Sequence, residues 1–248
     1  MSALLHTEIT IDADLTTGYI LTTGHFITSG HMEAQMGISE RRIKEKERRR
    51  QAILKAAKGL FFKQGFSATT MTQIADAAEL GKGTLYLYFQ NKEELYISLL
   101  VEGMQLLNEI FQRTVEGVAG WEEKFTALGW AYYQYALDYS EFFQISFQFQ
   151  HGELTANISD DLYSHCFQEG LKSLGTLAGV LEEGMAAGDI EQRDPMELTV
   201  VLWGSLTGLI LLHMAKDHRK FMPVALKTLV ADLLDLNLKA LKQPGATI

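Results

Sequence analysis

The chain has 248 residues, 47% apolar and 21% charged, which suits one large domain or two modest ones with a buried core. A single cysteine, Cys166, excludes an intramolecular disulfide framework and fits a reducing cytosol, and three prolines among many Leu, Ala, Glu and Met predict an all-α fold. The net charge of −9 argues against phosphate-rich partners only until its distribution is read. Residues 41–92 hold twelve Lys/Arg against four acids, a local balance of +8, and the remainder holds ten against twenty-seven, or −17. A basic module on an acidic body is a pattern of nucleic-acid binders.

Residues 1–40 contain no Lys or Arg. Three hexads rich in Thr and Gly (Leu15–Ile20, Leu21–Phe26 and Ile27–Met32) suggest β or irregular structure, and three are too few to stack as a solenoid. The segment lacks the charged start and the unbroken apolar stretch of a secretory signal. It reads as a flexible N-terminal extension, the alternative being an accessory β-element that pairs with a partner.

Arg41–Gln64 is predicted as the first helix, with Ile53, Ala56, Ala57, Leu60 and Phe61 at helical spacing and Gly65 as the stop. Its start, from Arg41 to Arg50, is strongly basic. Such a run is either a solvated face or an arm that touches phosphates.

Residues 70–95 carry the most specific pattern. Thr70 and Gln73 form a capping box for a short helix whose buried face is Ile74, Ala75 and Ala78. Glu79-Leu80-Gly81 makes a tight turn, and Lys82–Phe89 is a second short helix that begins without a side-chain cap. Leu85 and Phe89, four apart, point inward and leave Lys82, Gly83, Thr84, Tyr86 and Leu87 for a DNA groove. Gly83 permits close backbone approach, Leu87 can meet a thymine methyl, and Tyr88 can reach a phosphate. Asn91, with Glu94 as its box partner, caps the next helix, whose amides would clamp a phosphate together with Lys92. The layout is that of a helix-turn-helix DNA reader.

The stretches Ala52–Phe66, Thr70–Ala78 and Gly81–Leu95 resemble, in order and spacing, the N-terminal domain of the tetracycline-repressor (TetR) family. The resemblance covers about fifty residues. It implies an all-α fold, with a helix-turn-helix domain over residues 41–92 and a larger helical ligand-binding and dimerisation domain over 93–248. It also implies a homodimeric repressor in the cytoplasm, released from a palindromic operator by a small-molecule effector. Carried over by position, DNA contacts fall to Thr70, Thr72, Lys82, Gly83, Thr84, Tyr86, Tyr88 and Lys92. Three positions depart from the family pattern: Glu79 where Gly is usual, Gly81 where Ser or Thr is usual, and Leu87 where a polar residue is common.

Beyond residue 93 the pattern is helix after helix: to about Glu116, Trp121–Tyr139, Glu141–Gln150, Asp160–Ala187, Pro195–Lys216 and Pro223–Lys242. Eleven aromatic residues crowd between Trp121 and Phe149, more than one packed face needs. Trp130, Tyr133, Phe143 and Phe147 are therefore expected to line a pocket for a flat or apolar small molecule. Leu198–Ala215 is uncharged for eighteen residues, the threshold of a membrane span, yet a helix buried on most sides is the better reading. With the last helix it is expected to form half of a four-helix dimer contact through Trp203, Gly204, Gly208, Leu211, Leu226, Leu229 and Leu233.

Enzymatic readings are weak. Gly81-Lys82-Gly83-Thr84 lacks the first glycine of a phosphate loop, because Asp76 stands there. His165 and Cys166 diverge on a helix, His213 and His218 are poorly spaced for one metal, and His151 and Glu153 read as loop residues. No catalytic residue, metal or cofactor is expected. The competing function is an interaction protein of the same architecture that has lost operator specificity, which an intact recognition helix and the local +8 disfavour.

Overall fold

The computed structural model describes residues 29–147, 157–215 and 224–242. Phe149, His151, Glu153, His218, Pro223 and the first two hexads lie outside them. Contacts divide the chain into two compact units, Met1–Arg49 and Arg50–Ile248. Nine α-helices occur among the described residues: α1 Ser29–Gln64, α2 Met71–Ala77, α3 Lys82–Tyr86, α4 Lys92–Val115, α5 Trp121–Asp138, α6 Ser140–Ile145, α7 Asp160–Ala187, α8 Pro195–Met214 and α9 Leu226–Leu241. The all-α fold expected from composition is observed.

Several boundaries differ from the sequence reading, for physical reasons. Helix α1 begins at Ser29, twelve residues before the expected Arg41, so the end of the third hexad is helical. Glu33, Ala34, Gln35 and Met36 are good helix formers, and the interior Gly37 lowers helix stability by about 1 kcal/mol without stopping it. Within the first unit, Glu45 accepts hydrogen bonds from Arg48 and Arg49, and these pull its carboxyl down to about 2. Helix α3 ends at Tyr86 because the chain tightens: Leu87 and Tyr88 donate to the carbonyls three residues back, of Thr84 and Leu85. Asp194 caps α8 by accepting from the amides of Met196 and Glu197, and Pro195 takes the first helical position. Helix α9 starts at Leu226, without a side-chain cap.

The second unit is built around α4. This helix packs along α7 and also against α5 and α6, while α8 covers α7 and α9 covers α8 and α5. One apolar core runs from Ile53, Leu54 and Phe61 of α1 through Leu85 and Phe89 to Leu206, Val230 and Leu234. The helix-turn-helix and the larger bundle thus share buried surface, at roughly 25 cal/mol per Å² of apolar area removed from water. Gly103 on α4 lets α6 approach, since a Cβ there would lie 2.9 Å from that of Phe142. Polar ties reinforce the packing. Trp121 donates to Asp189 at 2.9 Å, the Tyr135 hydroxyl donates to the Gly103 carbonyl at 3.0 Å, and the Lys124 ammonium meets Glu183 at 2.7 Å.

The turn between α2 and α3 shows what the departures from the family pattern do. Glu79 has φ 56°, left-handed, and Leu80 donates to the Ala75 carbonyl while Glu79 donates to that of Asp76, which is a Schellman closure. A side chain here costs about 1–2 kcal/mol that glycine avoids. Gly81 caps α3 with φ −64° and ψ 142°, open to any residue, and a Cβ there meets only Thr84 Oγ1 at 3.9 Å. Glu79→Gly is expected to stabilise by roughly 0.5–1 kcal/mol after the larger unfolded-state entropy of glycine is subtracted. Gly81→Ser should add about 0.5 kcal/mol more through a new cap and a stiffer unfolded chain. Denaturant titration checks both, as a raised midpoint with unchanged slope.

Candidate DNA-reading face and ligand cavity

The reading face is assembled by caps. Thr70 Oγ1 accepts from the Gln73 amide at 3.2 Å, and Gln73 returns the bond by accepting from the Thr70 amide at 2.9 Å. This fixes the start of α2 and leaves Thr70 and Thr72 exposed. Leu85 and Phe89 are buried, which turns α3 so that Lys82, Gly83, Tyr86 and Leu87 project outward. Leu87 is 81% exposed, an unusual setting for a leucine that a groove contact would explain. Thr84 and Tyr88 are half-buried, so each offers only part of its side chain to a groove. Asn91 Oδ1 accepts from the Glu94 amide, as the capping box requires, but the Glu94 carboxylate accepts from Gln90 rather than from Asn91.

Lys92 is engaged within the protein. Its ammonium donates to the carbonyls of Phe66, Ser67 and Thr69 at 3.1, 3.4 and 3.4 Å, and lies 4.4 Å from the centre of the Phe66 ring. An ammonium has three donors, and all three are taken up. Lys92 therefore ties the α1–α2 turn to the start of α4. Tyr96, one turn later and buried, meets Phe61 and Phe66 at ring distances of 5.9 and 5.4 Å and donates to the Ile145 carbonyl. Burial raises its phenol pKa.

A cavity of about 470 Å³ lies between α4, α5, α6, α7 and α8. Phe143 and Phe147 line it, as expected. Trp130 and Tyr133 do not: they stack on each other edge to face at 5.6 Å, on a different side of α5. The inward residues of α5 are instead Leu128, Tyr132, Tyr135 and Ala136, and two of these, Tyr132 and Tyr135, reach the cavity. Met104, Cys166, Gly170, Ser173 and Trp203 complete much of the wall, and no charged side chain contributes to it among the described residues.

The polar groups of Trp203, Tyr132, Ser146 and Ser173 are partnered within the protein. Trp203 Nε1 donates to the Tyr132 hydroxyl at 3.0 Å, which shares a 2.9 Å hydrogen bond with Thr207 Oγ1. Ser146 donates to the Phe142 carbonyl, and Ser173 to Asn108 Oδ1. Burial pushes the Tyr132 phenol up to about 12, against the lowering effect of its two hydrogen bonds, and pushes the Cys166 thiol up to about 11. Both stay neutral at physiological pH, so the cavity presents apolar surface to an occupant.

Helix α8 is long and apolar enough to cross a membrane by length and composition alone. In the fold it is two-faced, not buried on most sides. Thr199, Leu202, Leu206, Thr207 and Ile210 point inward, while Val200, Val201 (64% exposed) and Leu212 face out beside Gly204, and Gly208 is half-exposed. Of the residues expected at a dimer contact, Trp203 faces the cavity and Leu226 is buried in the chain's own core. Leu211, Leu229 and Leu233 are half-buried.

The family model described as "Bacterial regulatory proteins, tetR family" matches residues 53–99, which span the end of α1, the helix-turn-helix and the start of α4. Over those residues the chain carries a tetR-family DNA-binding domain. The proteins it resembles are DNA-binding transcriptional regulators, not enzymes. The chain is 28% identical over 190 residues to an uncharacterized helix-turn-helix transcriptional regulator, YhgD, of Bacillus subtilis, covering 76% of this chain and 93% of that one. It is 26% identical to the fatty acid metabolism regulator protein of the same organism, covering 77% and 96%. Its fold is similar, with a TM-score of 0.61 at 23% identity, to the structure of the regulator FadR from Bacillus subtilis in complex with stearoyl-CoA, over 76% of this chain and 97% of that one.

The cavity residues that the aromatic density does not single out carry one usable signal. Leu128, Tyr132, Tyr135 and Ala136 follow i, i+4, i+7, i+8 spacing counted from Leu128, with Phe125 one turn before it, which marks the inward face of α5. If Lys92 acts by holding the α1–α2 turn, Lys92→Met lowers stability by about 1 kcal/mol and DNA affinity with it. The salt dependence of DNA binding stays unchanged, whereas loss of a phosphate contact would reduce the slope by about one. Thermal melts and binding isotherms across a salt series separate the two outcomes.

Proposed function

We propose that the chain is a homodimeric repressor that binds a palindromic operator through α3 and is released by a small apolar ligand, most suitably a fatty acyl chain. The observation that carries the ligand class is the cavity: about 470 Å³, uncharged among its described lining, with the hydroxyls of Tyr132, Tyr135, Ser146 and Ser173 bonded internally. The names of the similar proteins support the same class. DNA contacts are assigned to Thr70, Thr72, Lys82, Gly83, Thr84, Tyr86, Leu87 and Tyr88, with Lys92 acting indirectly. A DNA target places the protein in the cytoplasm.

Helix α4 supplies the link. Its first turns hold Lys92 and Tyr96 against the helix-turn-helix, and Ile97, Met104 and Leu107 on the same rod line the cavity. An occupant that binds one setting of α4 better than another shifts the reading heads by its difference in affinity, and by no more.

Operator DNA selected from a random-sequence library by the purified protein provides the test. Its footprint is expected to show two-fold symmetry, with half-sites about 34–36 Å apart. Tyr86→Ala should weaken operator binding at least ten-fold without changing the oligomeric state. Palmitoyl-CoA or free palmitate should release wild-type protein from the operator, and no release by any chain length would remove the ligand reading.

The dimer contact is assigned to the outer stripe of α8, where Val200, Val201, Gly204 and Leu212 are exposed and the glycine permits close approach of a second helix. Val201→Asp is expected to give a folded monomer in sedimentation and to lose operator affinity together with dimerisation.

A further inference from the structure

A second cavity, of about 50 Å³, lies behind the main one, walled by Phe111, Phe125, Leu128, Leu206 and Leu234 among others. The two share five lining residues: Leu107 of α4, Tyr132 of α5, Ser173 and Leu174 of α7, and Trp203 of α8. These five form a partition between two apolar spaces. The polar three are fixed. Trp203 donates to Tyr132, Tyr132 is bonded to Thr207, and Ser173 is bonded to Asn108. Each of those side chains would leave a buried polar atom unpaired if it swung away. Leu107 and Leu174 carry no such tie and close the remaining gap.

The main cavity also has a direction. Tyr163, Phe167 and Leu171, one turn apart on α7, line it and are all exposed, so it opens to the surface on that side. Leu174 lies eleven residues beyond Tyr163, about 16 Å along the helix at 1.5 Å per residue. A chain that enters between the exposed aromatics runs along α7 and meets the partition end-on.

We propose that this five-residue wall is a chain-length stop: the terminal methyl of a bound acyl chain abuts Leu107 and Leu174, and the space behind them is withheld by the Trp203–Tyr132–Thr207 ties. The inference rests on the acyl-ligand reading above and adds which residues set the length accepted. Affinity rises roughly four-fold per added methylene while the chain lengthens into apolar space, and falls once the end strikes the wall.

The test uses the full chain and even-numbered saturated fatty acids from eight to eighteen carbons, measured by calorimetry below their aggregation limits. Wild type should show one best length. Leu174→Ala opens the wall from α7 and Leu107→Ala opens it independently from α4. Each should move the best length at least two carbons longer and raise affinity for that longer acid at least ten-fold. Phe167→Ser, at the mouth, should weaken all lengths without moving the optimum. Thermal melts identify any variant that fails to fold, and the other opening variant then decides. An unmoved optimum in a folded opening variant overturns the stop while leaving the acyl reading intact. Failure of wild type to bind any member of the series, as the free acid or as its coenzyme A thioester, removes the acyl reading and the stop together.

Discussion

The Lys92 ammonium, seated on three carbonyls of the α1–α2 turn, is the constraint on which the reading head depends. That turn precedes Thr70, whose capping box starts α2, and α2 and the Glu79 turn then set the angle of α3. Each element is too short to hold itself: α2 has seven residues and α3 five, far below what an isolated helix needs in water. Their geometry is borrowed from α4, through Lys92 on the polar side and Tyr96 with Phe61 and Phe66 on the apolar side. Lys92 thus acts on α3 only at a distance, through the turn that precedes α2.

The cavity follows a related economy of polar atoms. Tyr132, Tyr135, Ser146, Ser173 and Trp203 would make it polar by composition, yet each is partnered by the protein itself. Satisfying them internally turns aromatic and hydroxylic residues into apolar wall and fixes that wall in one shape. Shape and length, not hydrogen bonding, are then what an occupant is measured against. Discrimination of that kind is worth little per methylene and accumulates with chain length.

What was legible in the sequence was local. The Thr70–Gln73 box, the Asn91 cap, the inward Leu85 and Phe89, and the full span Asp160–Ala187 depend on residues within a few positions of one another. The Lys92 tie was not legible, because its carbonyls lie twenty-three to twenty-six residues away and carbonyls have no sequence signature. Trp130 and Tyr133 were misplaced for a different reason. Helix α5 carries aromatic residues on several faces, so density announced a pocket without saying which face lined it. Trp203 was assigned to a dimer contact because the apolar run around it has no polar face to mark the outside.

That ambiguity in α8 has a physical origin in how much the helix must touch. Its inner positions pack on α7 and α9, Trp203 reaches the cavity wall, and Val200, Val201 and Leu212 are left to the surface. A helix that carries apolar residues on its outer face as well as its inner one lacks the amphipathic period that would separate them. The same composition that satisfies a membrane by length therefore arises here from serving a core and a cavity at once, and, under the proposed assembly, a second copy. Trp203 and Gly204 are adjacent in sequence and lie on opposite duties, one bonded to Tyr132 and one open to approach. A shift of Tyr132 against an occupant would pass to α8 through its hydrogen bonds to Trp203 and Thr207, which makes the proposed dimer contact a second route, besides α4, by which the cavity bears on the proposed pair of reading heads.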